Sequence, residues 1–204
     1  MWRNVRKILN LQDALFGLQI IMEHICTAEI PVNDYLARFR NVAKFLPFCQ
    51  QCKNYGNSWA CPPFQFDADA RIGQWRNALL VAVRFELSAG DKSLSDAMPL
   101  LRPVRQKFEA RLLELERQYG GLAFGFSGEC LHCSRCARAR GEACVHPDRV
   151  RPALEAYGFD ITLTIKELFG FELEWAKEGL LPDRLTLVGG FFHNEEPGKI
   201  KFAR

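Results

Sequence analysis

Between Glu129 and Pro147 the chain reads E-C-L-H-C-S-R-C-A-R-A-R-G-E-A-C-V-H-P, placing thiols at Cys130, Cys133, Cys136 and Cys144 in the pattern C-x2-C-x2-C-x7-C. Cysteines three residues apart in a compact turn cannot pair with one another as unstrained disulfides. They can wrap one inorganic centre, because such a turn aims successive thiolates inward. A second group lies upstream in F-C-Q-Q-C-K-N-Y-G-N-S-W-A-C-P-P-F, with Cys49, Cys52 and Cys61. Any fold for this chain has to leave room for these two loops, 48–64 and 128–147.

Thiolate sulfur is a soft ligand that suits iron–sulfur clusters, zinc and Cu(I). A single C-x2-C pair leaves iron and zinc level. A third cysteine at the same step, as in the C-x2-C-x2-C arm of bacterial iron–sulfur proteins, favours a [4Fe–4S] cluster. Structural zinc, which more often uses two separated C-x2-C pairs, is the alternative. Pro62 and Pro147 follow the last cysteine of each group at once or after two residues, as the proline of an iron–sulfur loop does. Arg135, Arg138, Arg140, Arg149 and Arg151 outnumber Glu142 and Asp148 around the second group. That local excess of cations would offset an anionic cluster.

The first group is one thiol short of four. Two complete four-sulfur sites would need all eight cysteines, including Cys26, which the pattern places on a strand and which reads more naturally as a core thiol. Otherwise the fourth position belongs to a histidine (His24 or His146), to an oxygen, to solvent, or to a cysteine shared with the later group. A cluster with one iron free of protein sulfur would be able to take a substrate.

The remaining composition excludes little and sets the background. Of 204 residues, 48% are hydrophobic and 25% charged, as in an ordinary globular protein, and the net charge of +3 gives no argument for nucleic acid or a membrane surface. Cysteines clustered in this way point to metal in a reducing compartment rather than to disulfides. The first residues do not read as a signal peptide, and no apolar run is long enough to cross a bilayer, so a cytoplasmic location is expected.

Hydrophobic periodicity predicts an α/β (α+β) fold over 1–204: a single sheet of about four strands flanked by helices, with both cysteine-rich loops at one end. Strands are expected at 18–30, 78–87, 122–127 and 185–192. Helices are expected at 2–15, from Asn33 or Asp34 to about Phe45, at 68–77, 96–119, 148–157, from Asp160 to about Phe169, and near 172–178. In the 148–157 helix Arg151 and Glu155 would stand one turn apart and pair, and its first amides would face the cluster. Tyr55 and Trp59 are expected to shield the first loop. No phosphate-binding glycine loop, Ser–His–Asp arrangement or H-E-x-x-H motif is present.

From Phe48 to Asp160 the motifs resemble a predicted metal-binding protein family, domain of unknown function 2284. The likeness rests on Cys49, Cys52, Tyr55-Gly56 and Cys61-Pro62-Pro63, then on Cys130, Cys133 and Cys136, then on Cys144, His146-Pro147, Arg151-Pro152, Glu155-Ala156, Gly158 and Asp160. The resemblance implies metal binding at Cys49, Cys52, Cys61, Cys130, Cys133, Cys136 and Cys144, and no particular reaction. The chain departs at Ala153, where a serine is usual, which leaves no hydroxyl there. The function expected is that of an iron–sulfur protein with one or two [4Fe–4S] clusters, acting in electron transfer or as an accessory subunit with a redox partner protein. The alternatives are an enzyme using an open-site cluster on a bound substrate and a zinc-stabilised interaction module. Catalytic residues and oligomeric state are not legible.

Overall fold

The computed structural model describes residues 20–87, 93–126 and 128–202. Four strands, β1 (Ile20–Pro31), β2 (Asn77–Leu87), β3 (Gly121–Phe124) and β4 (Arg184–His193), form one antiparallel sheet in the order β1-β2-β4-β3. The α+β class and the strand positions are those expected, except that β3 ends at Phe124. The helix expected at 2–15 lies outside the described residues.

The sheet carries apolar side chains on both faces, which explains the unbroken apolar run of β2. Ala78, Leu80 and Ala82 face a core with Tyr35, Phe39, Leu154, Phe159 and Phe192. Leu79, Val81, Val83 and Phe85 face a second core with Phe108, Leu112, Leu115 and Phe191. The long helix α4 (Leu94–Tyr119) packs on that second face with the stripe its periodicity announces: Leu101, Phe108, Leu112 and Leu115 are buried. Gly189 on β4 fits under it closely, since a Cβ there would come within 2.8 Å of the Phe108 ring and 2.7 Å of the Phe124 carbonyl.

Three helical expectations are corrected. The helix after Pro31 breaks at Arg40 into α1 (Val32–Phe39) and α2 (Val42–Gln50). Arg40 instead bridges to Phe159, and its Nε donates to the Tyr157 carbonyl at 2.7 Å. Residues 148–157 are not a helix: a turn at 147–149 leads through irregular Val150, Arg151 and Pro152 to one 3-10 turn, Glu155–Tyr157. Pro152 disfavours helical backbone at Arg151. The stretch 172–178 is irregular. The short α3 (Ala68–Gly73) and α5 (Ile161–Thr164) form where expected, each capped by its aspartate, Asp67 or Asp160, and α5 runs on as a π turn to Phe169.

Candidate metal centre

The first cysteine loop begins inside α2. The side chain of Asn41 caps this helix, accepting from the Lys44 amide at 2.9 Å, and its last turn presents Cys49. A succession of turns follows, with Cys52 N donating to Cys49 O at 3.0 Å, Tyr55 N to Cys52 O at 3.0 Å and Cys61 N to Ser58 O at 3.0 Å. Gly56, at φ +69°, lets the chain double back so that its amide reaches Pro62 O at 2.9 Å. Cys61 thereby returns beside Cys49 and Cys52. Burial pushes the Cys61 thiol up to about 11, and its two neighbouring thiols push the same way. Cys49 is raised for the same reasons, burial first and then Cys52.

The second loop hangs from α4 and β3. Arg102 Nη2 donates to the Leu131 carbonyl and Arg105 Nη2 to the Glu129 carbonyl, each at 3.0 Å. Within the loop the only helical piece is a 3-10 turn, Ala137–Arg140, ended by Gly141 in the left-handed region. Burial raises Cys130, and Cys136 and Cys133 add to the effect against a backbone hydrogen bond to His132. The His146 amide lies 3.4 Å from Cys144 Sγ.

Arg138 joins the two loops. From between Cys136 and Cys144 it donates through Nη1 to Ser58 O (2.9 Å) and Cys61 O (2.7 Å), and through Nη2 to Pro63 O. Its guanidinium carbon lies 5.0 Å from the centre of the Trp59 ring, whose Nε1 donates to Glu142 O at 3.0 Å. Two cavities result, of about 160 Å³ and about 320 Å³. Cys49, Cys52, Cys61 and Cys130 line the smaller one. Cys130, Cys133, Cys136 and Cys144 line the larger. Cys130 and His132 border both.

Both loops lie within residues 37–192, which a known family model described as predicted metal-binding protein (DUF2284) matches. The chain belongs to the DUF2284 family. The match runs from α1 to β4 and takes in all seven clustered cysteines. No curated protein and no solved structure shows significant similarity to the chain.

No disulfide joins any of the eight cysteines, all of which lie among the described residues. The seven clustered ones border the two cavities, whereas Cys26 lies on β1 opposite Ala82, packs against the core and, like His24, lines neither. His146 stands with its ring 6.0 Å from that of His132. The donor chemistry of the DUF2284 loops suits a soft metal. Their thiols are grouped but not closed up: among the described residues no three Cys, His, Asp or Glu side chains stand at the spacing of a metal site.

Arg151, expected to pair with Glu155, has its ion-pair partner on another element. It forms an ion pair with Glu116 of α4, Nε reaching Oε2 at 2.9 Å, and so ties the segment after Pro147 to the helix. The helix expected to start at Pro147, whose first amides would have faced the thiols, does not form. Tyr55 lines the smaller cavity and Trp59 the larger. Two residues that hold the site were not singled out from sequence. Arg138 reads there only as one of several loop cations. Arg105 was legible, since it falls on the apolar stripe of α4 between Leu101 and Phe108, where a cation needs a reason.

Proposed function

We propose that this member of a predicted metal-binding family is an iron–sulfur protein with a redox role, and that its cysteine loops hold one or two [4Fe–4S] clusters. Cys130, Cys133, Cys136 and Cys144 would hold the first. Cys49, Cys52 and Cys61 would hold the second or share the first through Cys130. The observation that carries the reading is the meeting of the two loops: Arg138 fastens one to the other, and seven thiols border two adjoining cavities. A bound [4Fe–4S] cluster supplies one-electron transfer.

The chain's own groups support that use. Burial raises the thiols of Cys49, Cys61 and Cys130, so metal uptake there would release protons. Cys52 is exposed, and the neighbours of Cys49 and Cys144, Phe48 and Val145, are exposed apolar side chains at 66% and 64%. They would give a redox partner protein a place to dock beside the thiols. No helix among the described residues is long and apolar enough to cross a membrane.

A zinc-stabilised module is the second reading, favoured by the scarcity of regular structure in the 128–147 loop, which a structural ion would help to fold. Anaerobic purification followed by iron, sulfide and zinc analysis separates the two. The iron–sulfur reading expects a brown protein with about four irons and about four sulfides per cluster. A colourless protein holding zinc and no sulfide would end it.

A further inference from the structure

We propose that the hydroxyl of Ser58 tunes the reduction potential of the centre proposed above, by donating a hydrogen bond to one of its sulfurs, Cys61. This role rests on the iron–sulfur reading, since only a redox centre has a potential to tune.

Ser58 is held from both sides. Its amide donates to Asn54 O at 3.0 Å, and its carbonyl accepts from Cys61 N at 3.0 Å and from Arg138 Nη1 at 2.9 Å. The side chain in this closed turn is 5% exposed. A buried hydroxyl needs partners for its one proton and for its lone pairs. The oxygen accepts from Ala60 N at 3.3 Å. The side chain is also hydrogen-bonded to that of Cys61. Once Cys61 is a metal-bound thiolate, only the serine can donate in this pair.

Thiolate ligands of iron carry negative charge, and a donor aimed at one of them stabilises the form in which that charge is larger. Reduction takes one electron from a redox partner protein and reoxidation returns it; no bond forms or breaks, and the hydroxyl proton stays on Ser58 Oγ. The bond therefore favours the reduced form and raises the potential. The Arg138 guanidinium acts on Cys61 in the same sense. Cys49, in the same loop, meets burial, Cys52 and Glu155, all of which disfavour added charge. A serine that served the turn alone would use only its oxygen, on Ala60 N, and its loss would leave the potential where it was.

The test takes the full chain, purified anaerobically and assayed for iron, sulfide and zinc, through a dithionite titration followed by electron paramagnetic resonance. Ser58→Ala keeps the backbone bonds of residue 58 and removes the hydroxyl alone. It should retain its iron and sulfide. At a fixed potential its reduced-to-oxidised ratio should fall about tenfold, which lowers the midpoint of a one-electron couple by about 59 mV. Where two clusters are bound, only one couple should move. Ser58→Thr, which keeps the hydroxyl, should restore the wild-type midpoint. An unmoved or raised midpoint in Ser58→Ala, or a Ser58→Thr midpoint displaced as far as that of Ser58→Ala, overturns the proposal. Loss of iron from Ser58→Ala overturns it too, since the serine would then serve assembly rather than potential. The alanine variant alone decides should threonine, one methyl larger in a buried position, fail to load. Wild-type protein with full iron and sulfide beside an unmoved Ser58→Ala midpoint sinks the role of Ser58 alone. Wild-type protein holding zinc and no sulfide sinks the iron–sulfur reading, and this role with it.

Discussion

Arg138 reaches three carbonyls and one indole face at once because a guanidinium is a planar fork of donors. A lysine ammonium is a single point and cannot span them. Arg138→Lys is therefore expected to cost about 2 kcal/mol of stability, read by urea denaturation, and to lower the metal content of the protein measured by elemental analysis. Tyr157 gives the opposite sign. Its ring is packed against Phe64 and Phe124, its hydroxyl is buried without a hydrogen-bond partner, and burial pushes its ionisation up to about 12. Tyr157→Phe removes an unanswered polar group and leaves the ring, so stability should rise by about 1 kcal/mol. A fall in the denaturation midpoint would contradict that account.

Between elements, the placing of Cys49 depends on how α2 meets the turn after Tyr157. Gly158, at φ +86°, passes its carbonyl to the Asn41 amide at 2.8 Å, and a Cβ on it would stand 2.9 Å from Val42 Cα. Gly158→Ala should cost about 2 kcal/mol or more through backbone strain and displacement of α2. The same variant should show faster amide exchange over 42–50. The sequence announced the apolar run of β2, the stripe of α4 and the aspartate, Asp160, that starts α5. It hid the break at Arg40, because what holds Arg40 is Tyr157, far along the chain. It concealed less at 148–157, where Pro152 argued against a helix that the apolar spacing suggested. In the candidate site the cysteines were legible by spacing alone. Arg138, which fastens one loop to the other, was not, since it acts on carbonyls of a distant segment.

At the scale of the molecule, the sheet and its two apolar faces form a frame to which the cysteine loops are attached, and the stability of that frame carries a pH dependence of its own. His193, at the end of β4, is fully buried and stacked on Phe191 at 5.5 Å. Burial depresses its protonation below the ordinary 6.5, outweighing the nearby carboxylate of Glu29. The unfolded chain therefore binds a proton here more readily than the folded one. The contribution of the neutral ring is complete above 6.5 and declines as pH falls from there through the depressed folded value. Melting temperatures should drop on acidification below 6.5, and His193→Phe should flatten that part of the curve. An unchanged slope in the variant would assign the drop to other groups.

Cys130 borders both cavities, and the two are for that reason not separable by chemistry directed at that position. A bulky alkyl adduct on its sulfur would crowd both chambers in one event. Over longer times, a change there that suits one chamber has to be tolerated by the other, so the two loops are bound to drift in step.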